Sequence, residues 1–247
     1  MKIRSIKNLF FLGFVLLGMP NAVFGAAAAT DNEIMIQQTG DTLKLYIDQV
    51  GYGNKACGTL SGGTCASDWA ITGHTLEIDI DQIGNNNKLY GPITLNSSTL
   101  DLKWTGDSNS WDWSIGASGN SDDMDMDVEI TGDSNTMDLD IGATAAANNL
   151  DFDYTVLGDS NVADVDINSA TAKWSFNVTG GSNNIKTEQK DSGDHSITAV
   201  LVGSDGDWDI VQSSGTCSGI ASCQSIIDIS VDSEDSVVQI TQKDTGD

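Results

Sequence analysis

The stretch Met126-Asp-Val128-Glu-Ile130-Thr-Gly132-Asp-Ser-Asn135-Thr-Met137-Asp-Leu139-Asp-Ile141 decides the fold. On both sides of the tetrad Gly132–Asn135, apolar and polar residues alternate one for one. A period of two puts the apolar residues on one face of a strand and the polar residues on the other. Gly supplies a positive φ where the chain reverses, and Asp and Ser hydrogen-bond turn backbone. The stretch therefore reads as strand, tight turn, strand, with one apolar face.

The plan recurs along the chain. Gly-x-x-Asn tetrads stand at Gly51–Asn54, Gly84–Asn87, Gly106–Asn109, Gly132–Asn135, Gly158–Asn161 and Gly180–Asn183, and degenerate copies at Gly203–Gly206 and Ser233–Ser236. Two, four and six residues before each Gly lie sets such as Leu45, Ile47, Gln49; Ile78, Ile80, Gln82; Leu100, Leu102, Trp104; and Trp174, Phe176, Val178. After the Asn slot come Trp111, Trp113, Ile115; Ala163, Val165, Ile167; Ile185, Thr187, Gln189; and, in the last copies, Trp208, Ile210, Gln212 and Val238, Ile240, Gln242.

One such unit cannot bury its apolar row alone, but stacked units can. The expected fold is all-β, a β-solenoid of about eight strand-turn-strand repeats over residues 34–242. At a strand spacing of ~4.8 Å it makes a rod roughly 40 Å long. An antiparallel sandwich is the alternative, and the constant offset of the apolar phase from every turn speaks against it. The Asn slot is in phase with the inward row. Asn residues one rung apart are therefore expected to form an amide ladder, each C=O accepting from the next NH₂.

Composition narrows the function. Eleven Lys and Arg face 36 Asp and Glu, a formal charge of -25, which excludes nucleic acid as a partner because phosphates need basic residues. Lys2, Arg4 and Lys7 precede an apolar run from Leu9 to Leu17, and small residues follow at Gly25 and Ala26. Residues 1–25 read as a secretory signal peptide, too short in its apolar run for a membrane span. Residues 26–33 are a short N-terminal segment and 243–247 a C-terminal tail. The mature chain is expected not to insert in a membrane.

Cys57, Cys65, Cys217 and Cys223 form two close pairs, which in an exported chain indicates two local disulfides, their connectivity open. They fall in the longest intervals between repeats, from Asn54 to Ile78 and from Gln212 to Ile227, in loops near 57–65 and 217–223, and these intervals read as pinned excursions from the rod. His74 and His195 complete no four-ligand zinc pattern. No cofactor or metal site is expected, and the aspartates on outward slots read as a solvated face.

Gln49-Val-Gly51-Tyr-Gly53-Asn54-Lys-Ala56 resembles the curlin repeat, Gln-x-Gly-x-Gly-Asn-x-Ala followed by a second Gln, and Gln82-Ile-Gly84-Asn-Asn-Asn87 is a second good copy. Gln38-Thr-Gly40 is a partial one. The resemblance implies export through a curli-type outer-membrane secretion channel. It further implies assembly outside the cell into an amyloid fibre of the biofilm matrix, with a nucleator or co-subunit as partner. It also implies ladder roles for Gln49, Asn54, Gln82, Asn87, Asn109, Asn135, Asn161, Asn183 and Gln189, beside the turn positions Gly51, Gly84, Gly106, Gly132, Gly158 and Gly180 read from the tetrads themselves. The chain departs from the family where Trp104, Ile130, Val156 and Val178 replace the first Gln, and in its uneven repeats and its cysteines.

Apolar alternation begins at Ile34 and runs to Gln242, with no capping segment in the pattern. Open ends predict head-to-tail self-association into filaments. Stacked outward acids such as Asp101, Asp127 and Asp153 oppose it, so low pH or salt should speed it. Paired acids scattered on every repeat, or Asp194-His195 beside a serine, do not define an active site, and no enzymatic activity is expected. The rival reading is a monomeric secreted or surface adhesin, with cation binding by the Asp rows as a variant.

Overall fold

A computed structural model describes residues 2–7, 32–59, 61–89, 91–106, 109–116, 122–142, 149–169, 171–190, 194–214 and 225–244. All regular elements among them are strands. In chain order these begin with β1 (Lys2–Lys7), β2 (Glu33–Thr39), β3 (Lys44–Val50), β4 (Ala70–His74), β5 (Glu77–Ile83) and β6 (Pro92–Asn96). Then come β7 (Thr99–Thr105), β8 (Ser110–Ile115), β9 (Asp125–Thr131), β10 (Thr136–Ile141), β11 (Leu150–Leu157) and β12 (Val162–Asn168). The last six are β13 (Ala172–Thr179), β14 (Asn184–Lys190), β15 (His195–Ser204), β16 (Asp207–Ser214), β17 (Ser225–Glu234) and β18 (Val237–Asp244).

The even-numbered strands and β1 form a ten-stranded sheet A, and the odd-numbered strands from β3 form an eight-stranded sheet B. From β2 onward every pairing is parallel and joins strands two apart in sequence. The chain thus lays one strand in each sheet per coil and climbs one strand spacing per coil. This is a parallel β-solenoid whose eight coils run from β3–β4 to β17–β18, with β2 a further half coil. The antiparallel sandwich is excluded, because the two strands flanking each tetrad lie in different sheets.

Equivalent inward residues stand over one another. Met126 pairs with Phe152 and Phe152 with Trp174, while Trp111 pairs with Met137 and Met137 with Ala163. Leu102, Val128 and Val165 are fully buried between the sheets. Each buried side chain of this kind stabilises the fold by roughly 1.5–3 kcal/mol. In the last coil the same positions are less covered: Val231 is 44% and Ile240 49% exposed, because among the described residues no strand lies beyond β17 or β18.

Two expectations need correction. The interval from Asn54 to Ile78 is not wholly an excursion. β4 lies within it, and Trp69 and Ile71 are core residues. The inserted loop separates β4 from its turn, so counting from the tetrad misses it. Nor are all edges open. β1, within the residues read as a signal peptide, pairs antiparallel with β2, from Lys2↔Gln37 to Lys7↔Glu33. An unpaired row of N–H and C=O groups accepts any extended segment that reaches it.

Candidate functional site

The tetrads form a column of turns along one side of the rod. Gly158 has φ +140°, and a Cβ added there would lie 2.2 Å from the carbonyl oxygen of Gly132; at Gly180, φ +139°, it would lie 2.0 Å from that of Gly158. The backbones approach too closely for any side chain, which is why this slot is Gly. Gly51, Gly84, Gly106 and Gly132 share the positive φ. The third slot is left-handed too: Ser134, Ser160 and Ser182 have φ of 59°, 58° and 55°. The Gly pattern alone did not reveal that.

The fourth slot corrects the expected amide-to-amide ladder. Backbone N–H groups donate to the carboxamide Oδ1 of the following coil: Asn87 to Asn109 at 3.2 Å, Asn109 to Asn135 and Asn135 to Asn161 at 2.9 Å, and Asn161 to Asn183 at 2.8 Å. At these turns the N–H needs a partner that the strand ladder does not supply, and a buried one left bare is costly. Asn54 donates through Nδ2 to the carbonyl of Gln49 at 2.9 Å instead. The second slot runs the opposite way. Asp133 Oδ1 accepts from Asp159 N–H at 2.7 Å, and Asp159 Oδ1 from Gly181 N–H at 2.6 Å. Adjacent coils are therefore tied in both directions at one turn. Where Asn is replaced by Gly206, its N–H donates to Ser236 Oγ at 2.9 Å.

Amide ladders do form, but from glutamine. In sheet B, Gln82 Nε2 donates to Gln49 Oε1 at 2.6 Å. Trp104 Nε1 then donates to Gln82 Oε1, so the Trp that replaces Gln extends the ladder by a rung. In sheet A, Gln212 Nε2 donates to Gln189 Oε1 at 3.1 Å and Gln242 Nε2 to Gln212 Oε1 at 3.0 Å. Gln212, Gln242 and Trp104 were not singled out from sequence as ladder residues, although all three sit two before a turn or in the matching slot after one. His195 lies inside the rod against Gln189, its Nδ1 3.0 Å from Gln189 Nε2.

The outward slots stack acids. Asp79, Asp101, Asp127 and Asp153 form one column on sheet B, and Asp112, Asp138 and Asp164 one on sheet A. Partial burial first, and neighbouring carboxylates second, push Asp79, Asp101, Asp127 and Asp138 above the ordinary aspartate value. Cations interrupt the columns: Lys103 meets Glu129, and Lys186 meets Asp164, each at 2.9 Å. Exposed pairs of this kind contribute ~0–1 kcal/mol. Among the described residues no three His, Cys, Asp or Glu side chains are placed to share a metal ion.

Cys57 and Cys65 are joined in a disulfide, with Cα atoms 5.9 Å apart. The loop it closes is tied to β2: Lys55 Nζ lies 3.2 Å from Glu33 Oε1, both side chains buried, and also donates to Thr64 Oγ1 at 3.0 Å. Cys217 and Cys223 lie outside the described residues. Among the described residues no helix is long and apolar enough to cross a membrane. No family model, no curated protein and no solved structure matches this chain.

Proposed function

We propose that this chain is an exported structural subunit that stacks end to end into an extracellular, curli-like fibre, as a major or nucleator-like component. In this reading it reaches the cell surface through the periplasm and a curli-type outer-membrane channel. One observation carries the reading: the final coil is an unfinished one. Among the described residues no strand pairs with the outer edges of β17 and β18. The inward row there is partly uncovered, with Val231 and Ile240 near half exposure. Monomeric solenoids close such an end with a polar or helical segment, whereas an open end adds further strands.

Purified processed protein, incubated and viewed by negative stain with a thioflavin time course, tests the proposal. Unbranched filaments with a cross-β signal are expected. A preparation that stays monodisperse by size exclusion across pH 4 to 7 and in salt overturns it and leaves the monomeric adhesin.

A further inference from the structure

The two ends of sheet A carry the same inward pattern. Following the pairing from strand to strand, Gln242 stands in one column with Gln212, Gln189, Ile167, Ile141, Ile115, Ile93, Ile71 and finally Gln38. The glutamines occupy the C-terminal end of this column and its first position, and isoleucines fill the middle. β2 presents Ile34, Ile36 and Gln38 inward, and β18 presents Val238, Ile240 and Gln242. β2 matches the last strand of the rod more closely than its own neighbour, which sets Ile71 opposite Gln38 and the buried Trp69 beside Ile36. Gln38 is 8% exposed.

We propose that β2 of a second copy docks on the free edge of β18, parallel and in the register Ile34 on Val238, Ile36 on Ile240 and Gln38 on Gln242. This rests on the end-to-end reading above and specifies its junction. The existing ladder sets the polarity. Gln212 and Gln242 each donate Nε2 to the Oε1 of the coil before, so Gln242 offers Oε1 to the incoming Gln38. The exposed Ile240 is covered by Ile36 of the second copy. The edge of β2 is already shown to accept a strand, because β1 occupies it. β1 and the β18 of a second copy therefore compete for one edge, and loss of residues 1–25 frees it.

The strand count makes the junction measurable. From β2 to β18 sheet A holds nine parallel strands, and sheet B holds eight. Docking β2 on β18 thus advances nine strand spacings per copy, ~43 Å, and leaves room for one further strand in sheet B between β17 and the next β3. Docking β3 directly on β17 would advance eight, ~38 Å.

Gln37 is exposed and Thr241 partly so, and they face each other outward across the proposed junction. A chain carrying both Gln37→Asp and Thr241→Asp places like charges opposite one another. It should need roughly five-fold more protein to assemble, while Gln37→Lys with Thr241→Asp should assemble at or below the wild-type concentration. Circular dichroism of each soluble variant checks that the coil is intact. The full chain with its leader uncut should assemble more slowly than the processed chain, and the filament should repeat every ~43 Å. Filaments that repeat every ~38 Å, or that ignore the charge swap, overturn this register while leaving the end-to-end reading standing. Absence of filaments from the wild-type processed chain sinks both.

Discussion

The glutamine-laddered coils at the two ends and the aromatic-filled coils in the middle share one backbone path but are filled by different chemistry. At the start Gln49, Gln82 and Trp104 are linked side chain to side chain, and at the finish Gln189, Gln212 and Gln242 are. Between them Phe152 and Trp174 lie 5.9 Å apart and Tyr154 and Phe176 5.3 Å, and Trp104 at the end of the first ladder already stacks on Trp111 at 4.4 Å. Aromatic rings fill volume and tolerate several contact geometries. A glutamine in these ladders meets the next side chain only when that neighbour stands one rung away. The middle thus supplies burial, and the ends supply register between neighbouring coils.

Four substitutions or conditions can break or sharpen that contrast. The largest expected effect is in the middle: Phe176→Ala, fully enclosed, should cost ~3–5 kcal/mol in denaturant unfolding. Gln82→Leu keeps the volume but strips the partner from Gln49 Oε1 and Trp104 Nε1, and should cost ~1–3 kcal/mol. If Gln82→Leu proves neutral, the ladder is ornament and the contrast fails. Acidification should act the other way. Burial and stacked carboxylates raise Asp79, Asp81, Asp101, Asp127, Asp138, Asp140 and Asp166. A raised carboxyl holds its proton more firmly in the folded chain. Stability is therefore gained as pH falls through the raised values and is complete below the ordinary value of 3.8.

Glu77 opposes this, because hydrogen bonds from Lys44 and Tyr46 lower it, but it is one group against seven. The thermal midpoint should rise between pH 7 and pH 4 at low salt, and rise less at 1 M salt. The smallest effect belongs to the turn column. Ser160→Asn places a residue that tolerates the left-handed region at φ 58° and should stabilise by a few tenths of a kcal/mol.

Much of this was legible in the sequence. The alternation Met126, Val128, Ile130 at a constant offset from Gly132 is enough to predict strands, a stacked core and the position of the turns. Which atoms bond which was not. A column of asparagines implies contact along the rod, but whether the carboxamide meets another carboxamide or a backbone N–H depends on how the turn orients its peptide planes. The kinship of Gln38 with Gln242 was equally hidden, since Gln38 and its neighbour Ile71 are separated by the loop that Cys57 and Cys65 close. The pairing of Lys2–Lys7 with β2 depends on which edge lies within reach, and alternation is silent on that.

The opposed bonds at the turns have a consequence for size. Asp159 reaches one coil back and Gly181 reaches one coil back to it, while the Asn slots reach forward by the same single step. Because each tie spans one step, removing residues 132–157 would leave the severed partners facing new ones of identical kind. The molecule resembles a chain of interchangeable links whose number, and hence the length of the rod, can change in whole increments without redesigning any joint.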